Sequence, residues 1–163
     1  MKIKVALEQG CLPVKYGRAA RIRINDQPVV SFPIQLNDLP RNTEVLAVTL
    51  LDWDAVPRTS FPFIHWLATD IPVATEIPVD FSRHYVGPQG MNSWGSRFYH
   101  ADVAIQRGYA GPNPPDQPHT YTLTVYALTQ PTHLQMGFYA NALRRALHNR
   151  VLAQASLEIT VKN

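Results

Sequence analysis

Hydrophobic and polar positions alternate strictly in several short stretches of this chain. Arg21-Ile22-Arg23-Ile24 places its isoleucines on one face and its arginines on the other. Tyr121-Thr122-Leu123-Thr124-Val125-Tyr126 and Leu157-Glu158-Ile159-Thr160-Val161-Lys162 follow the same period. Side chains along a strand point to opposite faces in turn, so this pattern predicts half-buried strands. Val45-Leu46-Ala47-Val48-Thr49-Leu50-Leu51 is apolar on both faces, as suits a central strand covered on both sides. Phe63-Ile64-His65-Trp66-Leu67-Ala68 reads as a further strand, rich in residues that pack well on a pleated surface.

Turn-forming clusters separate these stretches: Asn25-Asp26-Gln27-Pro28, Asn37-Asp38-Leu39-Pro40, Gly87-Pro88 and the segment from Gly111 to Pro118. Short strands punctuated in this way predict a sandwich or barrel. One stretch keeps a different period. From Tyr139 the apolar residues recur at Ala142, Leu143, Ala146 and Leu147, the spacing of a helix that buries one side. Thr132 followed by Gln135 has the form of a capping box opening that helical region. The expected architecture is mainly β, a two-layer antiparallel β-sandwich with one principal helix within about residues 132–149. There is no internal repeat and no linker, so residues 1–163 are expected to form a single domain.

The length, 163 residues, suits one hydrophobic core. Cys11 is the only cysteine, so no internal disulfide can form, which favours a reducing compartment. Met1 to Gln9 lacks the apolar run of a signal peptide, and Val45 to Leu51 is too short to span a bilayer. A cytoplasmic location with no transmembrane segment is the expectation. The formal net charge is +3, and the densest basic stretch, Arg144, Arg145, His148 and Arg150, falls at the end of the predicted helix. Cations there complement the helix dipole, so a nucleic-acid partner is not expected.

Four segments set polar residues where a core strand meets a loop: Asp52-Trp53-Asp54-Ala55-Val56-Pro57, His65-Trp66, Gly111-Pro112-Asn113-Pro114-Pro115, and His119-Thr120-Tyr121. Each has a plain structural explanation. Acids after a strand are commonly turn formers, a histidine among aromatics is commonly a core residue, and a proline run is a stiff loop. Their ordered set is more specific than any member. It resembles the phosphatidylethanolamine-binding proteins, in particular the bacterial, kinase-inhibitor-like branch. That family carries an Asp-Pro-Asp-Ala-Pro segment, a His-Trp on a following strand, and a Gly-Pro-x-Pro-Pro loop leading to His-Arg-Tyr. The opening Cys11-Leu12-Pro13-Val14-Lys15-Tyr16-Gly17 is also similar to the family's early Pro-x-Lys-Tyr turn. The departures are Trp53 for the first proline, Val56 before Pro57, Asn113 at a loop position often held by cysteine, and Thr120 for the arginine.

The resemblance implies one shallow pocket for a phosphate-like anion, lined by Asp52, His65, Gly111, Asn113, Pro114, His119 and Tyr121, with Asp54 or Asp52 available to an ethanolamine ammonium. Histidine cations and a tyrosine hydroxyl can donate to phosphate oxygens, and imidazoles of ordinary pKa charge readily beside an anion. Three of the five residues from Gly111 to Pro115 are prolines, which leaves Gly111 and Asn113 as the backbone donors of that stretch. The resemblance further implies a non-catalytic binder of a phosphate-containing small molecule or phospholipid headgroup. The alternative is an inhibitor or adaptor that docks a phosphorylated or acidic side chain of a protein partner, with Trp53, Phe61 and Trp94 as surface candidates. Members of the branch are often homodimers, and the proline closing the aspartate motif commonly follows a cis bond, so Val56–Pro57 is expected to be cis. Neither a cofactor nor a metal is implied, since no HExxH, Cys-His cluster or phosphate-cradling glycine loop occurs. Gly90-Met91-Asn92-Ser93-Trp94-Gly95 has one residue too many for a nucleophile elbow, so an enzyme is not expected.

Overall fold

The computed structural model describes residues 1–163. In chain order its strands are β1 (Lys2–Lys4), β2 (Arg23–Ile24), β3 (Gln27–Pro28), β4 (Ile34–Asn37), β5 (Val45–Asp52), β6 (Phe63–Pro72), β7 (Glu76–Ile77), β8 (His119–Leu128) and β9 (Val151–Val161). The helices are α1 (Val56–Thr59), α2 (Phe81–His84) and α3 (Ala140–Leu147). All strand pairs are antiparallel. One sheet runs β6-β5-β8-β9, a second runs β1-β4-β7, and β2 with β3 forms a separate hairpin. Asn25 and Asp26, with φ of 46° and 61°, supply the two left-handed positions of its tight turn.

The period of two in the sequence becomes the layering. Leu46, Val48 and Leu50 of β5, Leu123, Val125 and Ala127 of β8, and Trp66 and Ala68 of β6 point to one side of the large sheet. There they pack against Ile34 and Leu36 of β4 and Ile77 of β7, which closes the sandwich. Ala47, Leu67 and Leu128 face the other way and are covered by Phe138 and by Leu143 of α3. The strand predicted to be apolar on both faces is therefore buried on both. The mainly β antiparallel sandwich is the observed fold.

Three local expectations need correction. The late helix is shorter than its region: α3 begins at Ala140, and Tyr139 occupies its N-cap position. Thr132 and Gln135 do not cap it. The backbone N–H groups of Thr132 and His133 donate to the Asp70 carboxylate at 2.7 and 3.0 Å, which ties the segment to β6 instead. His133 and Gly137 then take positive φ, so no continuous helix can pass through them. Arg21 and Ile22 lie outside β2, whose arginine face is spent on Arg23 donating to the carbonyls of Ala20 and Gly17 at 3.0 and 3.2 Å. Finally, no peptide bond is cis, including Val56–Pro57. Pro57 lies in the first turn of α1, where its fixed φ suits a helix and its missing N–H would have had no intrahelical acceptor.

Candidate ligand-binding site

The site lies at one end of the large sheet, where β6, β5 and β8 run side by side. Asp52 is the last residue of β5, and the strand register places it directly between Tyr121 of β8 and Phe63 of β6. His119 stands two residues before Tyr121 on the same strand and so shares its face. His65 arrives by a different device. Leu50 pairs with Trp66 and Leu51 with Ile64, which leaves His65 as an extra residue in β6. Such a bulge re-aims a side chain, and here it brings the imidazole to 5.0 Å from the Tyr121 ring and 4.8 Å from Phe63.

The Gly111 to Pro115 loop closes the cavity from the side. It is fastened to β6 by a two-way clamp: Ala110 N–H donates to the His65 carbonyl at 2.9 Å, and His65 Nδ1–H donates to the Ala110 carbonyl at 2.7 Å. Gly111 N–H donates to the Pro28 carbonyl at 2.7 Å. A Cβ at Gly111 would sit 2.7 Å from the Pro28 side chain and 3.0 Å from its carbonyl oxygen, so only glycine fits this approach. The cavity has a volume of about 280 Å³. Asp52, His65, Asn113, Pro114, His119 and Tyr121 line it, together with Arg58, Phe63, Trp94 and Tyr99.

Charge is concentrated on His119. Its Nδ1 donates to Asp52 Oδ2 at 2.7 Å and its Nε2 to Asp116 Oδ1 at 3.0 Å. Burial works against a charged ring here, but hydrogen bonds to both carboxylates and their charge outweigh it and raise the His119 pKa. His65 is the opposite case. Burial pushes its pKa down to about 4, against the raising effect of the Ala110 carbonyl. Its ring is therefore neutral at physiological pH, with the proton on Nδ1 and a lone pair on Nε2. The expectation of two readily charged imidazoles holds for one of them only. Burial, with the Asp52 charge second, also raises the Tyr121 pKa and keeps the phenol protonated.

Two of the sequence-predicted residues have other tasks. Asp54 is not part of the wall; its Oδ2 accepts from Thr120 N–H at 2.8 Å and anchors the start of β8. Gly111 shapes the loop, and its N–H is spent on Pro28. Asp52 serves twice, since its Oδ1 also accepts from Ala55 N–H at 3.2 Å in the turn leading to α1. Trp53 on that turn is 54% exposed beside the site. Phe61 and Trp94 are half-buried, and Trp94 packs edge-on against Phe63 and Tyr99. Ser93 is pinned as a structural group, because its hydroxyl accepts from Ile64 N–H at 2.8 Å.

Sequence reasoning missed Arg58 and Asp116. Each carried a signal: Arg58 follows the aspartate motif directly, and Asp116 stands three residues before His119. Phe63 and Tyr99 reach the cavity from the bulged strand and a long loop, and spacing gives no hint of that.

An antiparallel sandwich with a partly enclosed cavity, carrying a few convergent polar groups at the ends of its central strands, is the build of a small-ligand-binding module. The profile of the phosphatidylethanolamine-binding protein family matches residues 2–162, and the chain belongs to that family. It is 40% identical over 154 residues to YxkA, an uncharacterized protein of Bacillus subtilis, covering 91% of this chain and 92% of that one. It is 32% identical over 135 residues to a UPF0098 protein of Pyrococcus horikoshii, covering 77% of this chain and 61% of the relative. Among solved structures, a homologue of the family from Chlamydia trachomatis matches with a TM-score of 0.77 and 23% identity, over 99% of this chain and 97% of that one. YbcL of E. coli matches with a TM-score of 0.72 and 21% identity, over 99% and 98%. These two share the fold. No helix of the chain is long and apolar enough to cross a membrane.

Proposed function

We propose that the cavity binds a phosphate-bearing small molecule or phospholipid headgroup, and that the protein acts by binding rather than by catalysis. The observation that carries this reading is His119, held as a cation by the buried Asp52 carboxylate in the wall of a small-ligand cavity. Arg58 adds a second positive charge to the same wall. Asn113 and Tyr121 supply further polar groups to the same wall. A phosphate oxygen answers donors of this kind. Nothing in the cavity is arranged as a nucleophile with its base.

The neutral His65 sets a condition on the ligand. Its unprotonated Nε2 accepts a hydrogen bond and repels a bare oxyanion. A phosphate that enters either carries a proton of its own or brings one to His65. Binding is therefore expected to take up a proton once the pH exceeds the second pKa of the phosphate, about 6 for a phosphomonoester and higher for inorganic phosphate. Affinity is expected to fall as pH rises past that value. Calorimetry with inorganic phosphate and phosphoethanolamine, repeated in buffers of different ionisation enthalpy, measures both quantities. Replacing His119 by Ala is expected to weaken binding about tenfold or more, the worth of one charge-assisted hydrogen bond. Equal affinity in wild type and in the His65→Ala and His119→Ala variants would remove the cavity from consideration as the anion site. Tighter binding of phosphoethanolamine than of phosphate would identify the headgroup as the preferred source of the anion.

A protein partner is the second reading, and the exposure of Trp53 beside the cavity is what favours it. Such a partner would dock a phosphorylated side chain in the same place, so a pull-down that depends on His119 separates it from free-ligand binding.

A further inference from the structure

Two cationic residues of the cavity wall, His119 and Arg58, already share an anion, and it belongs to the chain itself. Asp116 Oδ1 accepts from His119 Nε2 at 3.0 Å, and Asp116 Oδ2 lies 3.6 Å from the Arg58 guanidinium. These are the two cations that the proposed ligand would use. The His119 side chain is only 2% exposed, whereas the Asp116 side chain is 40% exposed and sits on the loop between Pro115 and β8. The Gln117 N–H donates to Asp116 Oδ1 at 3.0 Å, and Asn163 Nδ2 donates to the Asp116 carbonyl at 3.1 Å. The inner nitrogen of His119 is fixed by a buried partner, Asp52. The outer nitrogen is covered by a partner that can turn into water.

We propose that Asp116 is an internal counter-ion that occupies the anion position of the site, and that a ligand binds by replacing its carboxylate on His119 and Arg58. This rests on the reading of the cavity as an anion site and adds a residue that sets its selectivity. A tethered carboxylate is present at high effective concentration, so a free monocarboxylate has little advantage over it. A phosphate has more oxygens than a carboxylate, and it engages His119 Nε2 and Arg58 together. Asp116 therefore screens out simple carboxylates and admits phosphates. Arg58, which directly follows the aspartate motif, becomes a direct ligand-binding residue. Of the two contacts Asp116 gives up, the exposed pair with Arg58 is weak in water, and the bond to His119 is remade by the ligand.

The test compares wild type, Asp116→Ala, Asp116→Asn, Arg58→Gln and His119→Ala, with inorganic phosphate and acetate as the probes. Asp116 is itself exposed, but its replacement takes a partner from the buried His119. Asp116→Ala is therefore expected to melt somewhat below wild type, and Asp116→Asn, whose amide oxygen still accepts from His119 Nε2, closer to it. Asp116→Ala is expected to bind phosphate roughly tenfold more tightly, since a charge-assisted bond on His119 is no longer competed for. Acetate, expected to bind wild type poorly, is expected to gain more than phosphate does, so that discrimination between the two falls. Arg58→Gln is expected to weaken phosphate in either background. Ring-nitrogen NMR gives an independent readout: Asp116→Asn lowers the His119 titration midpoint, and saturating phosphate restores it.

Unchanged or weaker phosphate binding in Asp116→Ala, with His119→Ala still losing affinity, would overturn the counter-ion role while leaving the anion site intact. If His119→Ala also leaves phosphate binding unchanged, the anion site fails and this inference falls with it.

Discussion

Replacing Asp52 by alanine is expected to cost about 3–5 kcal/mol of folding stability, the range for breaking one side of a buried charged pair. Asp52 is 4% exposed and His119 is 1% exposed, so the imidazole left behind can find no water to replace its 2.7 Å partner. The same change removes the acceptor for Ala55 N–H at the entry to α1. The sign of its pH dependence follows from the raised pKa of His119. A folded-state pKa above the unfolded one means that the contribution is fully present below the ordinary value of about 6.5 and is lost as pH rises through the folded value. Urea unfolding of wild type and Asp52→Ala across pH 5 to 10 checks this, and the gap between the two is expected to narrow toward alkaline pH. A gap that widens instead would contradict a cationic His119.

The second large effect has the opposite sign and belongs to His65. Its folded pKa lies near 4, below the ordinary value of 6.5, because the ring is buried. Keeping it neutral favours the fold above pH 6.5, and that contribution is lost as pH falls from 6.5 toward 4. The loss amounts to about 3 kcal/mol, at about 1.4 kcal/mol for each pH unit between the two values. His65→Gln keeps a donor for the Ala110 carbonyl and removes the titration. Its stability relative to wild type is expected to improve by about that amount between pH 7 and pH 4. The comparison of the two proteins cancels the carboxylates they share. Parallel pH curves for the two would show that His65 is not held neutral.

How far the sequence reveals this protein depends on which physical rule governs each residue. The period of two in Tyr121 to Tyr126 is a direct consequence of pleating, and with Val45 to Leu51, apolar on both faces, it yielded the sandwich and its central strands. The late helix was visible from its spacing, yet its start was not. Thr132 looked like a cap because nothing local shows that Asp70, far away in the chain, takes the N–H groups of residues 132 and 133. Val56–Pro57 was expected to be cis by family likeness, but the inserted valine lets the segment turn as a short trans helix.

The site was legible in the same uneven way. Asp52, His65, His119 and Tyr121 are brought together by register and by one bulge, and their ordered motifs already point to one another in the sequence. Asp54 belongs to the same motif and yet is a backbone anchor, because its position on the turn faces Thr120. Protonation was the least legible property. Two histidines of the same ordinary pKa diverge because one is buried against a carbonyl and the other lies between two carboxylates. Asp116 stands three residues before His119, but its significance lies in covering His119 Nε2, which only the folded loop shows.

The most direct measurement is a crystal structure of the protein with inorganic phosphate at a concentration that saturates binding in solution. The account predicts phosphate in the cavity between His65 and His119, with an oxygen within hydrogen-bond distance of the His119 ring. Phosphate bound only at other surfaces, with that cavity filled by water, would contradict it.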